Sequence, residues 1–145
     1  METLVNVNGI ISSAMQAKVS VFDRGLLFGD GVYETGRSYD ACCLFLEEHF
    51  ERLRRSAEKL QIQVPWSNTE LKKRLFETAR AFGEKNIYFR IIITRGVIEH
   101  VGLDVFDSAE PSLVMIIQNL SGNMDRLRTD GIVLITSKIV RNSAL

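Results

Sequence analysis

Residues 22–40 read FDRGLLFGDGVYETGRSYD, a glycine-punctuated loop that runs directly into a stretch of alternating side-chain character. The glycines at 25, 29 and 31 are spaced for tight turns. They match neither G-x-G-x-x-G after a strand nor a phosphate loop ending in Gly-Lys-Ser/Thr, so nucleotide binding is not indicated. From Val32 onward a period of two takes over. It puts Tyr33, Thr35, Arg37 and Tyr39 on one face of a strand, with Val32, Glu34, Gly36 and Ser38 on the other.

Working outward, VNVNGIIS (5–12) sets Asn8-Gly9 between apolar-rich strands, and that dipeptide supplies the positive φ angles of a two-residue hairpin turn. After the quoted stretch, Tyr39-Asp40-Ala41 reads as a turn into CCLFL (42–46), and the opening strands together suggest an antiparallel meander. EEHFERLRRSAEKL (47–60) places Phe50, Leu53, Ala57 and Leu60 on one helical stripe, with Glu48–Arg52 and Glu51–Arg55 spaced as i,i+4 pairs. Pro65, Ser67 and Glu70 announce a second helix whose buried face is Leu71, Leu75, Ala79 and Phe82, closed by Gly83.

NIYFRIIITRG (86–96) alternates again, with Ile87, Phe89, Ile91 and Ile93 inward and Tyr88, Arg90, Ile92 and Thr94 outward. SLVMIIQNL (112–120) reads as a buried strand, MDRLRTDG (124–131) as a short helix and IVLITSKIV (132–140) as a last strand. Strands, then two helices, then strands predict an α+β domain: an antiparallel sheet with two main helices packed on it. No repeats or low-complexity tracts interrupt the pattern.

The chain has 145 residues, enough for one domain with a real core. Its 18 basic and 18 acidic residues balance, which argues against a nucleic-acid-binding face. The longest apolar run, around Leu113 to Ile117, is far too short to span a bilayer, and METLVNVNG lacks the profile of a signal peptide, so a soluble, cytoplasmic protein is expected. Cys42 and Cys43 are sequence neighbours and read as small buried hydrophobes rather than a disulfide or metal pair. Two histidines, His49 and His100, with no matching Cys or carboxylate spacing, make zinc improbable.

Two strands thus each offer a tyrosine and an arginine on a common side. A guanidinium beside phenolic hydroxyls is a good carboxylate receptor, because paired charge-assisted bonds fix both energy and orientation. An ordinary solvated face with outward-reaching arginines is the simpler account from these residues alone. Arg52, Arg54 and Arg55 lie off the apolar stripe of their helix and are equally well explained as surface pairs, worth under about 1 kcal/mol each.

Three segments, DRGLLFGDGVYET, HFERLRRSAEKL and YFRIIITRG, occur in the order and at the separations of the class IV, or fold type IV, pyridoxal-phosphate aminotransferases, which the chain resembles over essentially its whole length. That family includes branched-chain aminotransferases, D-amino acid aminotransferases and aminodeoxychorismate lyases. The resemblance implies that Arg52 grips the phosphate of pyridoxal 5'-phosphate. It implies that Tyr33, Thr35 and Arg37 line the substrate side of the cofactor, with Tyr88 and Arg90 helping to receive a substrate carboxylate. Phe28 and Leu103 match positions that reach the neighbouring subunit's pocket, which implies a homodimer.

The D-amino acid enzymes carry Arg-x-His after their TRG-like segment. Here RGVIEHVGLD puts His100 and Gly102 at those positions, so the resemblance leans toward the branched-chain type, although MDRLRTDGI is also similar to the lyases. His100 by itself reads as a loop residue rather than a base. Amino-group transfer in this family also needs a lysine amine that binds the cofactor and moves a proton. None of Lys18, Lys59, Lys72, Lys73, Lys85 and Lys138 stands at the family position, Lys138 in ITSKIVRNS being the nearest candidate. The resemblance therefore implies a small N-terminal aminotransferase domain at 1–119, then an interdomain linker and the first segment of a missing large domain at 120–145. No catalytic residue is assigned, the chain by itself is expected to be inactive, and its cofactor site is expected to be empty.

Overall fold

The computed structural model describes residues 3–101, 110–119 and 123–139. The first hairpin joins β1 (Thr3–Val7) to β2 (Ile10–Ser13), and Asn8 and Gly9 both take positive φ, 51° and 97°, as the two-residue turn requires. Within the loop at 22–30 the chain makes a short helix that the spacing did not suggest, α1 (Arg24–Phe28). The Asp23 carboxylate accepts from the Gly25 backbone N–H at its start, and Gly29 ends it at φ 66°.

β3 (Gly31–Tyr39) turns through Asp40 and Ala41, at φ 46° and 65°, into a strand of only two residues, β4 (Cys42–Cys43). α2 (Leu46–Lys59) and α3 (Asn68–Phe82) follow, the second capped by Ser67, whose hydroxyl accepts from the Glu70 N–H at 3.2 Å. β5 (Ile87–Thr94), β6 (Ser112–Asn119) and α4 (Asn123–Asp130) complete the order.

All strand pairs are antiparallel, and the sheet runs β2-β1-β6-β5-β3-β4. The meander expectation is therefore corrected: β2 and β3 lie in opposite halves of the sheet rather than side by side. Burial explains the order. β5 and β6 are the most deeply buried strands, and central positions remove the most apolar surface from water, while β2 and β4 are mostly exposed and serve as edges.

One sheet face carries Val32, Phe89, Ile91, Ile93, Leu113, Met115 and Ile117 against Leu46, Phe50, Leu53, Ala57, Leu71 and Leu75 of α2 and α3. Each such side chain contributes on the order of 1.5–3 kcal/mol by leaving water. A polar bridge crosses this layer, the Asn6 amide donating to Thr78 Oγ1 at 3.0 Å, and Asn6 also accepts from the Gly9 N–H. The two helices thus cover one face and leave the other to the outward residues of β3 and β5.

Four local expectations are corrected. Residues 132–139 form no strand, and Val133 and Ile135 are 95% and 94% exposed. A strand needs a neighbour for its backbone donors and acceptors, and no described strand pairs with this segment. Leu60 is off the stripe because α2 stops there: Gln61 turns left-handed at φ 54°, and Ile62 fills the core instead, its N–H on the Ala57 carbonyl. Cys42 is exposed, since β4 is an edge of two residues, whereas Cys43 is half-buried and burial raises its thiol pKa. Arg52 pairs across to β3 and not with Glu48 on its own helix.

Candidate functional site

The β3–β5 register sets Thr35 opposite Arg90, Arg37 opposite Tyr88 and Tyr33 opposite Ile92, so the five outward residues singled out by the alternation share one face. The Arg90 Nε donates to Thr35 Oγ1 and its Nη2 to the Tyr88 hydroxyl, both at 3.3 Å, and its guanidinium lies 4.8 Å from the Tyr33 ring centre. Arg37 stacks on Tyr39 at 4.2 Å. Its Nε is buried and has no hydrogen-bond partner among the described residues. A buried guanidinium donor left unpaired is uncommon. Tyr33, at 62% exposure, keeps the face open.

Arg52 lies elsewhere. Glu34 alternates with Tyr33 and Thr35, so its side chain enters the helix-covered side of β3, where α2 passes. There the Arg52 Nε donates to Glu34 Oε1 at 2.6 Å and its Nη2 to Oε2 at 2.5 Å, a two-toothed pair. His49, one turn earlier on α2, stands 2.8 Å from Glu34 Oε2 through Nδ1. An ionised carboxylate can only accept, so Nδ1 carries the hydrogen and donates it.

Burial pushes the Glu34 carboxyl up, but the bonds from Arg52 and His49 outweigh that and hold it below the ordinary glutamate value. The Arg52 side chain remains 55% exposed, and its Nη1 has no partner among the described residues. Arg52 and the Tyr–Arg wall therefore occupy opposite sides of one strand. Among the described residues, the outer edge of the strand pairs with β4 at Ser38 and Tyr39, and the Arg37 carbonyl accepts from the Leu44 N–H.

The alternation found the wall but not the anchor, because Glu34 and His49 carry no motif of their own. The available signal was a carboxylate among Val32, Gly36 and Ser38 on the inward side of β3, a position that demands a buried cation. Arg54 is structural, its Nε on Asn68 Oδ1 and its Nη2 on the Trp66 carbonyl. Arg55 is exposed.

Phe28 ends α1 half-exposed, with the Arg24 guanidinium 4.9 Å above its ring. The turn bearing it is fixed by Asp30, which takes the Nε of both Arg24 and Arg95 at 2.9 and 2.6 Å, while Arg95 also donates to the Leu60 and Gln61 carbonyls. Leu103, with Gly102 and Asp104, lies outside the described residues. Lys138 is exposed. A cavity of about 730 Å³ bounded by Trp66, Arg74, Ile98, His100 and Ser112 does not touch the wall. No described helix is long and apolar enough to cross a membrane.

Residues 31–144 match the sequence profile of the family described as amino-transferase class IV. The chain belongs to the class IV aminotransferases. It is 40% identical over 112 residues to a putative branched-chain-amino-acid aminotransferase of Methanocaldococcus jannaschii, covering 77% of this chain and 38% of that protein. It is also 40% identical over 95 residues to a D-alanine aminotransferase of Staphylococcus haemolyticus, covering 66% of this chain and 34% of that one. Among solved structures, the branched-chain aminotransferase of Thermoproteus uzoniensis with norvaline superposes with a TM-score of 0.73 at 30% identity, over 83% of this chain and 42% of the other. The chain thus spans well under half the length of these relatives. Class IV aminotransferases are pyridoxal-phosphate enzymes.

Proposed function

We propose that this chain is the phosphate-anchoring and substrate-facing part of a pyridoxal-phosphate aminotransferase that moves an amino group between a branched-chain amino acid and a 2-oxo acid. The observation that carries the reading is the convergence of Tyr33, Thr35, Arg37, Tyr88 and Arg90 on an uncovered sheet face, with an unpaired buried donor on Arg37. Arg52 fits the cofactor's phosphate chemically: it is fixed by Glu34 yet more than half exposed, with a donor nitrogen to spare.

When bound, the cofactor supplies the electron sink that lets the α-hydrogen of an amino acid leave as a proton. This chain's residues supply position. Arg52 holds the phosphate, Arg90 is oriented by Thr35 and Tyr88, and Arg37, stacked on Tyr39, lines the same face. We assign the proton-moving amine to none of the six lysines, Lys138 included. We take 1–119 as the small N-terminal domain and 120–145 as leading toward a large one. A homodimer in which Phe28 and Leu103 reach the partner's pocket belongs to the same proposal and rests on the family resemblance, and a cytoplasmic location is proposed with it.

A D-alanine donor is the second reading, favoured by the 40% identity to the staphylococcal D-alanine aminotransferase. The test is donor competition in the full-length protein with pyridoxal phosphate and 2-oxoglutarate. L-leucine should turn over much faster than D-alanine. The reverse order selects the second reading, and no transfer from either donor defeats both.

A further inference from the structure

We propose that Glu34 is a positioning residue for phosphate recognition: from the inward side of β3 it locks the guanidinium of Arg52 so that only one edge of it, the Nη1 edge, is presented to an oxyanion. This rests on the reading of Arg52 given under Proposed function and extends it to a residue outside the binding surface.

Glu34 is 6% exposed, and a strand that buries a carboxylate between Val32 and Gly36 loses stability unless that charge is fully bonded. It is fully bonded, by three donors on α2: Arg52 Nε at 2.6 Å, Arg52 Nη2 at 2.5 Å and His49 Nδ1 at 2.8 Å. His49 is in turn held edge-on to the buried Phe89 ring, 6.2 Å between centres and 78° between planes. Phe89 belongs to the core, so the chain of contacts runs from core to ring to carboxylate to guanidinium.

An arginine free to rotate would pay side-chain entropy each time it met a ligand. Here two of the guanidinium nitrogens are committed before any ligand arrives, and the plane of the group is fixed. The nearby carboxylate also offsets the charge of Arg52, so the site favours an anion that is oriented by further contacts over a free small one. Glu34 itself reaches neither ligand nor solvent, and it acts only through Arg52.

Glu34→Gln tests this in the full-length protein, because it keeps the shape of the side chain but can accept only one of the two arginine bonds. Pyridoxal phosphate and pyridoxal, which differ only in the phosphate, are titrated by absorbance into wild type, Glu34→Gln, Glu34→Asp and Arg52→Ala. Glu34→Gln should weaken pyridoxal phosphate about tenfold and leave pyridoxal unchanged, with Glu34→Asp in between, since a single charge-assisted bond is at stake. In the absence of any ligand, the Arg52 Nε–H should give a solvent-protected NMR signal that Glu34→Gln abolishes.

The inference is overturned by unaltered pyridoxal phosphate affinity in Glu34→Gln, or by equal losses for the two ligands. If Arg52→Ala abolishes the phosphate preference while Glu34→Gln does not, only the positioning role fails. If Arg52→Ala preserves the preference, the phosphate assignment of Arg52 fails and takes this inference with it.

Discussion

Gly36→Ala gives a sharp test of how the sheet is packed beneath the wall. Gly36 faces Phe89 in the β3–β5 register, and a methyl group built at Gly36 lies 2.3 Å from Phe89 Cζ and 2.9 Å from Cε1 and Cε2. Carbon atoms rest about 3.5–4.0 Å apart, so the end of the ring must retreat by more than about 1 Å. Phe89 is 0% exposed and has no open space to enter. The backbone at Gly36 is not left-handed, so alanine is conformationally allowed and gains about 0.5–1 kcal/mol over glycine in a strand.

Overpacking a core of this kind costs about 1–3 kcal/mol, so the clash wins and the net loss is about 1–2 kcal/mol. For a chain of 145 residues that is a fall in Tm of about 3–6 °C. Urea unfolding followed by circular dichroism measures it, with a lower midpoint and an unchanged slope expected. Phe89→Leu shortens the ring away from the new methyl, so the double variant should be more stable than the sum of the two single losses predicts, by about 1 kcal/mol. A Gly36→Ala variant as stable as wild type, or two substitutions that add without coupling, would refute a tight Gly36–Phe89 contact.

Acid should loosen the molecule through two identified carboxylates. Glu34 and Asp30 both have lowered folded-state pKa values: burial raises each, and Arg52 with His49, or Arg95 with Arg24, more than offsets it. Their stabilisation is thus full above the ordinary carboxylate range and is lost as pH falls through the lowered values, so urea midpoints should be flat near pH 6 and fall below about pH 4. Asp30→Asn should remove part of that slope and cost about 3 kcal/mol at neutral pH, since it leaves two largely buried guanidiniums without their shared carboxylate. Lys138→Ala, at an exposed position, should leave borohydride trapping of pyridoxal phosphate by the full-length protein intact; loss of the trapped adduct would make Lys138 the nucleophile.

What the residues disclosed in advance was whatever depends on local period. The alternation of 32–39 and 86–95, the apolar stripe of α2 as far as Ala57 and that of α3, the Asn8-Gly9 turn and the Ser67 cap are each set within a few residues, and each appears where the pattern puts it. What stayed hidden depends on partners distant in sequence. The insertion of β6 between β1 and β5 is decided by total burial, which no window reveals. The segment at 132–139 has strand-like composition, but its conformation turns on a neighbour that the described sheet does not supply. In the site, the five wall residues were legible because they alternate, while the anchor was not, because Glu34 and His49 are 15 residues apart and belong to different elements.

The pairing choice of Arg52 shows why the distant partner prevails over the local one. Glu48 is four residues earlier on the same helix, and such a pair on an exposed surface contributes only about 0.3–0.5 kcal/mol because water screens it and two long side chains must be ordered. Glu34 is already immobilised in a strand and already stripped of water, so bonding it adds little further ordering cost, whereas leaving it unbonded would be far more expensive. The buried carboxylate therefore draws the arginine across to β3. The same alternation that turns Glu34 inward turns Tyr33 and Thr35 outward, so one strand anchors Arg52 on one side and carries the tyrosine–arginine wall on the other. A one-residue slip of β3 would exchange the two faces and destroy both at once, which ties the register of this strand to the proposed chemistry more tightly than any single residue does.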